Sequence, residues 1–102
     1  MAYWFVFCRG DVLLERRTDG THTIPSGEEP PVSVAADAHI LNVSPMDDGT
    51  AVKALAIAEA PDDSRYEMCG LRQSFYKLSL PLYLKAGKAQ ELIYWDRNTR
   101  FC

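Results

Sequence analysis

The sequence predicts an α+β domain, built from an antiparallel or mixed sheet of about five or six strands followed by two C-terminal helices. Aromatic and β-branched runs separated by turn residues fill the first two thirds of the chain, and helical spacing of apolar residues is confined to the last third. The 102 residues are 47% hydrophobic and 25% charged, which is typical of one globular domain with a modest core.

The N-terminal segment predicts two strands joined by a tight turn. Residues 3–8 are apolar without alternation, which favours a strand buried on both faces. Arg9 and Gly10 suit a two-residue turn, and residues 11–15 return as the second strand. A turn follows at residues 18–20, and the Pro-rich residues 24–31 predict an irregular, acidic loop.

A second hairpin is predicted in the middle of the chain. Residues 39–43 indicate a strand, and Asp48-Gly49 is a strong turn signal. Residues 51–58 are ambiguous, because four alanines favour a helix whereas the preceding turn, Val52 and Ile57 favour a returning strand. We favour the strand and keep the helix as the alternative.

The last third predicts two helices. Leu71, Phe75 and Leu78 fall on one face of a short helix, and Pro81 suits the first position of a second helix. One apolar face of the second helix comprises Leu82, Ala86, Ala89 and Ile93.

The end of the second helix is apolar nearly all round, because Leu92, Tyr94 and Trp95 add to the face that carries Ile93. An isolated surface helix would not carry such an end. Tyr94 and Trp95 are therefore candidate interface residues, and burial in the core of this domain is the alternative.

Charge and cysteine content narrow the class of protein. The net charge is −3 and the basic residues are scattered, which argues against a nucleic-acid partner for this chain. No apolar run approaches the length of a membrane span. Three widely spaced cysteines do not make a disulfide framework, so we expect a cytoplasmic protein in which Cys8 and Cys69 are core residues.

Motifs for catalysis or cofactor binding are not found in the sequence. His22 and His39 have no Cys or His at metal-ligand spacing, and both suit polar surface or strand positions. The chain has no nucleophile elbow and no phosphate-binding glycine loop. We therefore predict no catalytic and no cofactor-binding residues here.

The C-terminal residues nevertheless carry a specific pattern. Residues 86–95, AGKAQELIYW, are followed closely by Arg100-Phe101-Cys102. This resembles the junction in Nudix-family NADH pyrophosphatases, where a helix of pattern A-G-K/R-A-x-x-L-x-x-W runs into R-F-C-x-x-C-G, the first knuckle of a zinc ribbon. The N-terminal strands and residues 24–31 are similar to the N-terminal domain of that family.

The resemblance implies an organisation for a longer protein. Residues 1–98 would be the N-terminal domain, with a degenerate Nudix-like fold, and residues 99–102 the start of a zinc ribbon. Cys102 would be the first zinc ligand, so we expect the sequence to continue beyond it to three more ligands. A catalytic Nudix domain would follow, using Mg or Mn held by glutamates to cleave NAD(H) into AMP and nicotinamide mononucleotide, and to act on NAD-capped RNA.

The glutamate motif R-E-x-x-E-E does not occur in these residues. No activity, and no cofactor, is therefore expected for this chain alone. We expect a non-catalytic structural and dimerisation domain, whose partners are the downstream zinc ribbon and Nudix domain and a second copy in a homodimer. The alternative hypothesis is a stand-alone nucleotide- or protein-binding module without catalysis.

Overall fold

The computed structural model describes residues 2–32, 34 and 39–99, and side chains as far as Asp96. These residues form seven strands and two helices, which confirms the predicted α+β class. The elements are β1 Ala2–Cys8, β2 Asp11–Arg16, β3 His22–Thr23, β4 Ser26–Gly27, β5 Leu41–Val43, β6 Ala51–Ala56, β7 Tyr66–Gly70, α1 Leu71–Ser74 and α2 Leu80–Thr99.

The strands form one mixed sheet with β1 near its centre. The order is β3-β2-β1-β6-β5, with β4 also paired to β1 and β7 to β2. Strands β1 and β6 run parallel, in register from Ala2↔Ala51 to Phe7↔Ala56, and the other pairs between described strands are antiparallel. The strand prediction for residues 51–58 is therefore correct, with the strand ending at Ala56.

The predicted N-terminal hairpin is confirmed. Phe7 pairs with Val12 and Cys8 with Asp11, so Arg9 and Gly10 are the two turn residues. Both have positive φ, 52° and 89°, as a type I′ turn requires. This turn matches the right-handed twist of the strands that it joins.

One expectation for the strands is wrong, and one strand was not predicted. Residues 24–31 are not wholly irregular, because β3 and β4 flank the buried Ile24 and Pro25. Strand β4 pairs with the start of β1 and β3 with the end of β2, so the segment occupies the space where β1 and β2 diverge. Strand β7 was not predicted, although it pairs with β2 from Asp11↔Gly70 to Glu15↔Tyr66.

The helix predictions are partly correct. Helix α1 ends at Ser74, whose hydroxyl donates to the carbonyl of Leu71 at 2.6 Å. Phe75 is consequently 50% exposed, and the predicted common face with Leu71 and Leu78 is wrong. Helix α2 starts at Leu80, so Pro81 is its second residue. Its predicted apolar face is buried: Leu82, Ala86, Ala89 and Ile93.

The sheet is buried on both faces, as predicted for β1. Helix α2 packs on the face that carries Phe5 and Phe7, in a cluster that also contains Leu14. The opposite face forms a smaller cluster, against which Val32 and Val34 pack: Ala2, Trp4, Val6, Leu13 and Leu55. Within the described residues, neither helix is both long and apolar enough to span a membrane.

Candidate functional site

A groove of about 670 Å³ lies between α2 and the β1–β2 turn. Its floor includes Phe7 and Ala56, and one of its walls is the turn at Arg9-Gly10. The other wall is a stripe of α2 at helical spacing, and we call the whole feature the α2 groove. That stripe consists of Gly87, Gln90, Glu91 and Tyr94.

The α2 groove sits at the end of the parallel part of the sheet. Phe7 is the penultimate residue of β1 and Ala56 the last residue of β6. Because these two strands run parallel, their carboxyl ends meet at the same edge.

A hydrogen bond joins the two walls. The side-chain amide of Gln90 donates to the carbonyl oxygen of Gly10 at 3.0 Å. Gly87 contributes space rather than contact, since a Cβ built there would meet no heavy atom within 4 Å. Gly87 therefore does not mark a close approach of another backbone to this helix.

The groove is lined by two residues of opposite charge, one on each wall. Arg9 is exposed on the turn and Glu91 is exposed on α2. Among the residues that the structure describes, neither side chain makes a hydrogen bond or an ion pair. Both charges are consequently available to a ligand.

Tyr94 and Trp95 lie at the outer end of α2. They are 64% and 58% exposed, and their rings meet edge to face with centroids 6.3 Å apart. Burial in the core of this domain, the alternative for these residues, is therefore wrong. Cys102, the other predicted site residue, lies outside the described residues, and its assignment as a zinc ligand stays a prediction.

A separate polar cluster surrounds Glu67 on β7. The ammonium of Lys77 lies 2.6 Å from one carboxylate oxygen and the guanidinium of Arg16 lies 3.1 Å from the other. Hydrogen bonds from Lys77 and then Arg16 lower the pKa of Glu67, while burial opposes them. His22 Nε2 lies 3.2 Å from the carboxylate, outside hydrogen-bonding geometry. This cluster ties β2, β3 and the α1–α2 turn to β7.

The remaining chemically reactive side chains are dispersed. His39 lies 3.3 Å from the carboxylate of Asp96 on α2, whereas His22 lies beside Glu67. Cys8 and Cys69 are buried free thiols, and burial raises the pKa of the Cys69 thiol. In the described part of the chain, no three His, Cys, Asp or Glu side chains come together as a metal site.

Comparison with protein-family models identifies the family of this chain. The model of the NADH pyrophosphatase-like rudimentary NUDIX domain matches residues 1–95. The chain belongs to this family. Comparison with curated proteins gives no significant match. The mixed sheet with two C-terminal helices is the Nudix-like fold expected from the resemblance.

The α2 groove was not predicted from the sequence. Gly87, Gln90, Glu91 and Tyr94 are spaced as one helical stripe beside the buried stripe, and this spacing was the available signal. The sequence does not indicate the opposite wall, because Arg9 and Gly10 come close to α2 only in the folded structure.

Proposed function

We propose that this chain is the non-catalytic N-terminal domain of an NADH pyrophosphatase, and that it positions the zinc ribbon and the catalytic Nudix domain of that enzyme. The family match over residues 1–95 supports the parent enzyme. The observation that supports a positioning role is the exposed aromatic pair Tyr94 and Trp95 at the outer end of α2. Aromatic residues of this kind are enriched in protein interfaces.

The packing of α2 against the sheet fixes the position of its outer end. Ala86 and Ala89 are fully buried against the sheet, and Ile93 is only 8% exposed. The rings of Tyr94 and Trp95 therefore project from a helix whose inner face is fixed in the core. Large aromatic side chains that are held in this way bury much area on docking with little loss of conformational entropy.

In this proposal the chemistry belongs to the downstream domains. Zinc would be held by Cys102 together with three ligands of the ribbon, and Mg or Mn by glutamates of the catalytic domain. The part of the chain that the structure describes brings no three His, Cys, Asp or Glu side chains together, and this supports assigning both ions to the downstream domains. No step of NAD(H) cleavage, or of NAD-cap removal from RNA, is therefore assigned to the described residues.

The same proposal includes a cytoplasmic homodimer of the parent enzyme. The aromatic end of α2 would contribute to docking within the protomer, to the dimer contact, or to both. Light scattering on the parent enzyme tests the dimer directly, and a monomeric parent would remove this part of the proposal.

Enzyme assays test whether catalysis belongs to the downstream domains and docking to this chain. The purified chain, incubated with NADH and Mg²⁺, should release no AMP, and AMP release above a protein-free blank would contradict a non-catalytic role. In the parent enzyme, Trp95→Ser should weaken NADH turnover or assembly. The matched control Tyr76→Ser removes an aromatic ring that is 86% exposed elsewhere on the surface. Equal behaviour of the two variants would exclude docking through Trp95.

A further inference from the structure

We propose that the α2 groove binds a nucleoside monophosphate, with the phosphate at Arg9 and the base on the apolar floor. This goes beyond the positioning role, because it gives the domain a ligand of its own. It rests on the groove, its two available charges and the conformation of Arg9.

Arg9 occupies a backbone conformation that its side chain does not favour. Its φ of 52° lies in the left-handed region, where Gly, Asn and Asp are the usual residues of a type I′ turn. Gly10 satisfies the same requirement at the next position without strain. Strained non-glycine residues cluster at ligand sites, so the arginine at the rim of a groove indicates a role for its guanidinium.

The chemistry of the groove selects the class of ligand. The guanidinium of Arg9 suits a phosphate, which accepts paired hydrogen bonds in its plane. The carboxylate of Glu91 on the opposite wall accepts hydrogen bonds from ribose hydroxyls or an exocyclic amine. Ala56 and Ile57 on the floor offer an apolar surface to a planar base, and the exposed ring of Tyr94 lies at the rim.

The size of the groove separates this ligand from a free aromatic amino acid, which also carries an anion, a cation and a ring. The α2 wall extends from Gly87 to Tyr94, about 10 Å at the helical rise per residue. The volume of about 670 Å³ lies within the usual range for sites of small organic ligands. An amino acid would leave much of this space to water, whereas the larger nucleoside monophosphate would fill more of it.

Calorimetric titration of the chain with AMP and UMP tests the proposal, with adenosine, inorganic phosphate and phenylalanine as comparison ligands. The nucleotides should bind more tightly than any comparison ligand. Arg9→Gly should weaken AMP binding about tenfold, to the level of adenosine, because it removes one charge-assisted contact. Glycine suits the φ of this position, so the variant keeps the turn.

A second variant tests the groove by its volume. Gly87→Leu places a side chain into the open space beside Gly87 and should weaken both AMP and adenosine binding at least about tenfold. Arg72→Ala and Lys88→Leu are the matched controls, because they remove an exposed charge or add a leucine away from the groove lining. Both should bind AMP as the wild type does.

Three results would overturn the proposal. They are no AMP or UMP binding by the wild type at low millimolar concentration, tighter binding of phenylalanine than of AMP, and unchanged AMP affinity in Arg9→Gly. Urea midpoints establish that each variant is folded, and should Gly87→Leu fail to fold, the Arg9→Gly comparison decides alone. A negative result leaves the positioning role intact, since that role is tested on the parent enzyme.

Discussion

The side-chain amide of Gln90 donates a hydrogen bond of 3.0 Å to the carbonyl oxygen of Gly10, joining residues that are 80 positions apart in the sequence. The contact links the middle of α2 to the β1–β2 turn. Because the turn and the helix are the two walls of the α2 groove, this bond holds the groove at its observed width. It also couples the last helix of the domain to its first hairpin.

We expect Gln90→Ala to lower the free energy of unfolding by about 1 kcal/mol. A neutral hydrogen bond contributes roughly this amount, and the higher helix propensity of alanine offsets only a small part of it. Urea unfolding followed by circular dichroism measures the change. Glu91→Ala is the control, because Glu91 is exposed on the same helix, and equal destabilisation by both variants would show that the bond does not contribute.

Gly87→Ala should raise the free energy of unfolding by about 1 kcal/mol. Glycine is unfavourable inside a helix, and the added Cβ meets no heavy atom within 4 Å. Gly10→Ala should have the opposite effect, because φ at Gly10 is +89° and alanine disfavours this region by about 1 kcal/mol. Thermal unfolding of both variants gives the two signs. A loss of stability in Gly87→Ala would mean that the helix does not tolerate a Cβ there.

Local patterns predicted the elements whose geometry is local. The turn at Arg9-Gly10, the hairpin of β5 and β6 and the buried stripe of α2 depend on short-range turn chemistry and helical spacing. For Tyr94 and Trp95 the sequence left both an interface and the core open, and only the packing of α2 in the fold shows that they are exposed.

Features formed by long-range pairing were missed. Strands β3 and β4 have two residues each, too few for a period, and they exist because the chain enters the space between β1 and β2. Strand β7 alternates little because Glu67 and Cys69 share a face with different surroundings, one beside Lys77 and the other in the core. The α2 groove needs the turn and the helix together, so neither segment indicates it alone.

Stability should depend on pH through Glu67. Its pKa is lowered by Lys77 and Arg16, so the folded state binds this proton less readily than the unfolded state does. The contribution of the Glu67 carboxylate to the free energy of unfolding is therefore present above the ordinary glutamate pKa, about 4.3. It is lost as the pH falls through the lowered pKa of the folded state. Relative to Glu67→Gln, the wild type should be more stable at pH 7 by about 1 kcal/mol.

Urea unfolding of both proteins between neutral and strongly acidic pH measures this dependence. The difference between them should vanish at the acidic end, and a difference that does not change with pH would contradict the assignment. Glu59→Gln is the control, because Glu59 is exposed and has no partner among the described residues. The free energy of unfolding of Glu59→Gln should depend on pH as that of the wild type does.

Substitutions at Ile93 and Trp95, on the buried and exposed sides of the same turn of α2, should distinguish an effect on folding from an effect on docking. Ile93 is 8% exposed and packs in the core beneath α2, so Ile93→Ala should lower the free energy of unfolding by about 3 kcal/mol. Trp95 is 58% exposed, and Trp95→Ser should change it by less than about 1 kcal/mol. Chemical unfolding of the chain gives both values. A loss in Trp95→Ser as large as that in Ile93→Ala would place the indole in the core of this domain, and its effect on the parent enzyme would then report folding rather than contact with a neighbouring domain.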